Sequence, residues 1–142
     1  MNTETKILDR EDLQRMFGIK GLPGKMVAGL AYRILRLKRA NSIQAKYADL
    51  KGSDFAKAVL REIGVNYEID PEALAAIPAE GGFITVSNHP YGGVDGLILM
   101  AEVGARRPDF KILTTYFMSL IPSLRDTFIP VDNFSSGGVR SI

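Results

Sequence analysis

"GGFITVSNHPYGGVDGLILMAEVG", residues 81–104, sets the fold class of this chain. It opens with a short β-type apolar run, closes with apolar residues at helical spacing, and bends between them at Pro-Tyr-Gly-Gly. The stretch therefore reads as strand, tight loop, helix, with His89 to Asp95 in the bend. The same alternation surrounds it. "VNYEID" (65–70) sets Val65, Tyr67 and Ile69 against Asn66, Glu68 and Asp70, the pattern of a half-buried strand. "PEALAAIP" (71–78) has Pro71 suited to a first helical turn, and "DFKILTTYF" (109–117) and "DTFIPVD" (126–132) read as further strands. Strands alternating with helices predict an α/β fold, a largely parallel sheet flanked by helices.

Upstream the pattern is helical. "LDREDLQRMFG" (8–18) predicts a helix capped by Asp9, with Asp12 in a capping-box position and Gly18 as its stop. "SDFAKAVLREIG" (53–64) predicts another, with Ser53 as cap and Gly64 as terminator. Between them "KMVAGLAYRILRLKR" (25–39) spaces Met26, Leu30, Ile34 and Leu37 along one line, with Lys25, Arg33, Arg36 and Arg39 away from it. This is a cationic amphipathic helix. Its apolar line suits either the protein core or lipid headgroups, and the pattern is the same for both.

Composition narrows the function. At 142 residues, 46% hydrophobic and 24% charged, the chain is long enough for one structural domain with one core. The absence of cysteine excludes a thiolate metal site, and one histidine with scattered carboxylates argues against a histidine-built one. The N-terminus has no apolar signal region and no run is long enough to span a bilayer, so the expected location is the cytoplasm. Residues 1–65 carry 13 Lys/Arg against 7 Asp/Glu, a net of +6, whereas residues 66–142 carry 5 against 9, a net of −4. That asymmetry predicts a basic N-terminal surface facing an anionic partner. Sparse interleaving of aromatic and basic residues argues against nucleic acid and for a membrane, with Arg33, Arg36 and Arg39 as the contacts.

The bend carries the chemistry. In α/β sheets ligands bind outside the carboxyl ends of strands, where His89 is placed. Gly92 and Gly93 clear side chains from backbone N–H groups at a helix mouth, which favours an anion or a developing oxyanion. Asp95 can hold one imidazole nitrogen and leave the other to accept a proton. No Gly-Lys-Ser/Thr ending supports a P-loop, and no Gly-x-Ser-x-Gly makes Ser87 a nucleophile. A base without its own nucleophile suits transfer to an external acceptor. A structural histidine, a helix-dipole Asp and a plain tight turn would present the same letters.

"SNHPYGGVDGL" (87–97) resembles the first motif of the glycerolipid and lysophospholipid acyltransferase superfamily, in which a strand-to-helix loop carries Asn-His followed by Asp. It is most similar to the hemolysin-like or aminolipid-forming bacterial branch with an extended His-Pro-x-Gly-Gly-x-Asp-Gly form. Five residues separate His89 from Asp95 here, against four in the usual motif, so the pair forms only if the glycines let the loop bulge. Phe128 and Ile129 match the start of the second motif, but Pro130, Val131 and Asp132 stand where an Arg follows. A Phe-Pro-Glu-Gly-Thr-Arg type third motif does not occur, and the chain ends at "DNFSSGGVRSI" with neither closing strand nor helix. Residues 1–65 then read as an N-terminal helical region and 66–142 as the N-terminal part of an acyltransferase domain, an incomplete one.

The resemblance implies transfer of a fatty acyl group from acyl-CoA or acyl carrier protein to a lysolipid-like hydroxyl, with no bound cofactor and no metal. It implies His89 as general base and Asp95 as its orienter, with Asn88, Gly92 and Gly93 near the substrates. It places the protein in phospholipid biosynthesis, at the inner face of the membrane. Arg125 and Arg140 are candidates for anionic acceptor contacts, or solvated surface charges. A chain cut short is expected to be inactive by itself and to expose a sheet edge that pairs with a second copy. Two rivals share the sequence features: a non-catalytic membrane-peripheral binding module, and a metal-free hydrolase in which His89 activates water.

Overall fold

The computed structural model describes residues 6–18 and 20–131. Helix α1 (Arg10–Phe17) begins at the expected capping box: the Asp12 N–H donates to Asp9 Oδ1 at 2.7 Å and the Asp9 N–H to Asp12 Oδ2 at 2.8 Å. It ends at Gly18, φ 66°. Lys6, hydrogen-bonded to Asp9, and then the Asp12 N–H hold the Asp9 carboxyl down to about 2.

The cationic helix expected over 25–39 is two helices, α2 (Gly21–Ile34) and α3 (Leu37–Lys46), broken at Leu35 and Arg36. The cause lies in packing. Ala28 and Leu37 enter one buried cluster with Leu8 and Leu13. On an unbroken helix, nine residues at about 100° each would put Ala28 and Leu37 on opposite sides. Arg36 makes the turn in the left-handed region, φ 50°. Gly24 and Ala28 face inward on α2, so Met26, Leu30 and Ile34 point out, 69%, 60% and 69% exposed. Of the expected apolar line only Leu37 is buried.

The main core forms between α4 (Gly52–Glu62) and α6 (Gly93–Arg106), where Phe55, Ala56 and Leu60 meet Met100, Ala101 and Leu124. Ser53 lies inside the first turn of α4 rather than capping it, because Lys51 occupies the cap position; Gly64, φ 77°, does stop the helix. A short helix, α5 (Pro71–Ala75), follows with Asp70 accepting from the Glu72 N–H at 2.9 Å. Two 3-10 helices, Met118–Leu120 and Pro122–Thr127, then precede the second strand. Inside, Gln44 Nε2 donates to Ser123 Oγ at 2.9 Å and ties α3 to this segment.

The sheet is parallel, as expected, and two-stranded among the described residues. Strand β1 (Ile112–Thr115) pairs with β2 (Phe128–Val131) in the register Ile112 with Phe128 through Thr115 with Val131. Two expected strands form no ladder there. Residues 65–70 keep the alternation, Val65, Tyr67 and Ile69 half-buried, because the segment lies on α6; Tyr67 donates to Glu102 Oε1 at 2.6 Å, and burial, then this bond, pushes its hydroxyl up to about 12. The expected buried strand at 81–88 is extended but uncovered, with Ile84 91% and Val86 93% exposed. A cavity of about 950 Å³ separates it from β1, and strand hydrogen bonds need backbones about 4.8 Å apart. Among the described residues no helix is long and apolar enough to cross a membrane.

Met100 and Leu30 are both apolar helix residues, and the fold gives them opposite surroundings. Met100→Ala is expected to cost about 2–5 kcal/mol through transfer and cavity terms. Leu30→Ser is expected to change stability by less than ~0.5 kcal/mol. Urea denaturation of the two variants checks this, and equal losses would put the outer face of α2 in the core.

Candidate functional site

His89 and Asp95 are brought together at the mouth of α6. The imidazole Nδ1 stands 3.4 Å from Asp95 Oδ2, an ion-pair separation slightly longer than a well-formed hydrogen bond. The His89 side chain is 62% exposed and that of Asp95 17%, so the carboxylate is anchored while the ring faces the open cavity. Asp95 is held from the other side as well: the Tyr91 N–H donates to the same Oδ2 at 2.8 Å. One carboxylate oxygen thus closes the loop and faces the ring.

Gly92 supplies the bulge that five intervening residues require. Its backbone, φ 62° and ψ −129°, lies in a region that residues with a Cβ rarely enter, and its carbonyl accepts from the Asp95 N–H at 3.2 Å as the helix starts. Having no side chain, Gly92 leaves the first turn of α6 without a side-chain cap. The Gly93 and Val94 amides open a helix whose positive end also favours the Asp95 carboxylate. A Cβ at Gly93 would meet open space.

The cavity beside His89 is walled by residues 81–87 on one side and by Phe110 to Leu113 on the other, with Gly96 and Leu99 of α6 as its floor. Arg107 fixes its far end. This side chain, in a residue 7% exposed, grips Asp109 with Nε and Nη2 at 2.8 Å each, and donates to the Pro78 carbonyl at 2.8 Å and the Gly81 carbonyl at 2.9 Å. Its guanidinium also lies 4.8 Å from the Phe83 ring centroid. Arg106 adds bonds to the Ile77 and Ala75 carbonyls at 3.1 Å each. The two arginines anchor the start of the segment that leads to His89. Sequence reasoning missed them; the signal was an Arg pair at the end of the helix that carries Asp95.

The remaining expected site residues divide. Asn88 is exposed and is not part of the cavity wall. Arg125 is exposed and lines a separate hollow of about 340 Å³ with Tyr116, Ser119 and Phe128, away from His89. Arg140 lies outside the described residues, as does the "DNFSSGGVRSI" ending. Arg33, Arg36 and Arg39 are all exposed and gather around one hollow with Arg10 and Lys38.

Comparison with known proteins returned one finding. A family model described as acyltransferase matches residues 18–140. No curated protein and no solved structure matched the chain.

The loop geometry makes Gly92 and Gly93 distinguishable. Gly92→Ala is expected to lose about 1–3 kcal/mol through its backbone conformation. Gly93→Ala, in a helical position with room for a methyl, is expected to be neutral or slightly stabilising. Thermal denaturation of both variants decides the matter, and equal behaviour would contradict the bulge.

Proposed function

The chain belongs to the acyltransferase family, and on that premise we propose that it moves a fatty acyl group from acyl-CoA or acyl carrier protein to the hydroxyl of a lysolipid-like acceptor. The observation that carries this reading is the facing pair of His89 Nδ1 and Asp95 Oδ2 at the mouth of α6. With Nδ1–H directed at the carboxylate, Nε2 is the basic nitrogen. It takes the proton of the acceptor hydroxyl as that oxygen attacks the thioester carbonyl. The carbonyl π electrons move to oxygen, where the amides at the start of α6 stabilise the charge. Collapse of the tetrahedral intermediate breaks the C–S bond, and the thiolate recovers the proton from Nε2. Asp95 stabilises the transient imidazolium and remains ionised.

A second surface supports a lipid acceptor. Leu22, Met26, Leu30 and Ile34 form an exposed apolar line on α2, and Lys25, Arg33 and Arg36 are exposed on the same helix and its turn. An apolar line flanked by cations seats at the headgroup boundary of an anionic bilayer. We place the protein peripherally at the inner face of the membrane, where its acceptor resides.

His89→Ala is expected to lower acyl transfer by roughly 10²- to 10⁴-fold with the fold intact. Asp95→Asn is expected to reduce kcat by freeing the ring. Labelled acyl-CoA with a panel of lysolipids reads the outcome: labelled acyl-lipid supports the proposal, and free fatty acid alone indicates hydrolysis. Unchanged thioester would leave a binding module.

Membrane seating is expected to need both parts of the surface. Sedimentation with phosphatidylglycerol vesicles should weaken with salt, and Leu30→Glu should release the protein. Equal binding to neutral and anionic vesicles would remove the electrostatic part.

A further inference from the structure

The cations between the first three helices do not simply coat a face. Arg10 of α1, Arg33 of α2, Arg36 of the turn, and Lys38 and Arg39 of α3 line one hollow of about 750 Å³, completed by Gly29, Tyr32 and Ser42. Among the described residues no carboxylate belongs to its wall. The break in the helix assembles it. On an unbroken helix Lys38 would sit about 140° around the axis from Arg33, five residues at about 100° each. The turn at Arg36 brings the end of α2 and the start of α3 to the same hollow.

Among the described residues three nearby acids make their closest ion pairs with cations outside the hollow. Asp9 pairs with Lys6, Asp12 with Arg15 at 2.7 Å, and Glu62 with Lys46 at 2.6 Å while accepting from the Tyr47 hydroxyl at 2.8 Å. No ion pair neutralises Arg33, Arg36, Lys38 or Arg39 among those residues. Arg10 lies over the Tyr32 ring, 5.5 Å from its centroid. Mutual repulsion of five cations opposes this arrangement, and an anion relieves it. Arg36 is also the one non-glycine residue with positive φ among the described residues, and such conformations collect where function holds them. Finally, α3 starts without a side-chain cap, so its first-turn amides add positive character beside Arg36.

We propose that this hollow is a binding site for a phosphomonoester dianion borne on a larger molecule. Guanidinium forks match phosphate oxygens two at a time, and the Tyr32 and Ser42 hydroxyls add neutral donors. A volume of about 750 Å³ exceeds what inorganic phosphate fills, so the ester's organic part occupies the remainder beside Gly29 and the Tyr32 ring. The site shares no residue with the His89 loop; Arg33 and Arg36 also border the membrane-facing line of α2, so the soluble bisphosphate reads the hollow apart from that surface.

The test is calorimetric titration of the whole purified chain with two phosphomonoesters, adenosine 3′,5′-bisphosphate and micellar lysophosphatidic acid. The matched phosphodiesters are cyclic AMP and lysophosphatidylglycerol. Saturable binding of either monoester, at least tenfold tighter than its diester, is expected; the tighter of the two identifies a nucleotide or a lipid headgroup as the source. Arg36→Asn is the diagnostic variant, because Asn tolerates the left-handed conformation while removing the guanidinium. It is expected to weaken monoester binding at least tenfold with an unchanged or higher melting temperature. Arg39→Gln should also weaken it, and Arg61→Gln, exposed on α4 and outside the hollow, should not. Equal affinity for monoester and diester, no saturable monoester binding, or equal losses from Arg61→Gln and Arg36→Asn would overturn the proposal.

Discussion

The burial of α6 against α4 is the constraint on which the rest of the structure depends. Met100 and Ala101 are fully enclosed by Phe55, Ala56, Leu60 and Leu124. Burying a Met, Leu or Phe side chain contributes about 1.5–3 kcal/mol, against about 0–1 kcal/mol for an exposed ion pair. The contact also places the mouth of α6, because a helix docked along its length has its first turn fixed. Asp95 lies in that first turn, and its position relative to His89 follows from packing that occurs further along the same helix.

The loop preceding α6 has no such core of its own. Ile84 and Val86 are exposed, and no ladder holds residues 81–88 among the described residues. Polar anchors act at its two ends instead. Arg107, with Arg106, holds carbonyls from Ala75 to Gly81, and Asp95 accepts the Tyr91 amide. Both anchors project from α6, so one docked helix sets the entry and the exit of the segment that carries His89. This arrangement leaves the imidazole open to solvent while the carboxylate is restrained.

In the N-terminal half a single backbone conformation couples packing to charge. The left-handed turn at Arg36 lets Ala28 and Leu37 share a cluster that a straight helix would divide. The same turn concentrates Arg33, Arg36, Lys38 and Arg39, and it leaves Met26, Leu30 and Ile34 facing out. Core formation and surface chemistry here have one geometric origin.

Local signals in the sequence determined the elements whose causes are local. The capping box of Asp9 and Asp12, the stops at Gly18 and Gly64, Pro71 at a first turn, and the helix after Gly92-Gly93 each depend on side chains within a few residues of the backbone they serve. The pairing of His89 with Asp95 was legible for the same reason, since a short loop joins them. Tertiary structure alone decided the break at Arg36, because it answers to a cluster with Leu8 and Leu13 on another segment. It decided which face of α2 is buried, since the small Ala28 packs against Leu13 of α1 while the larger apolar line faces out. It also separated Arg125 from His89 and gave Arg107 its role. Strands show the division most plainly: alternation marks where a strand can form, as at Val65 to Ile69, but a ladder exists only where another backbone comes within hydrogen-bonding distance, as β1 and β2 do.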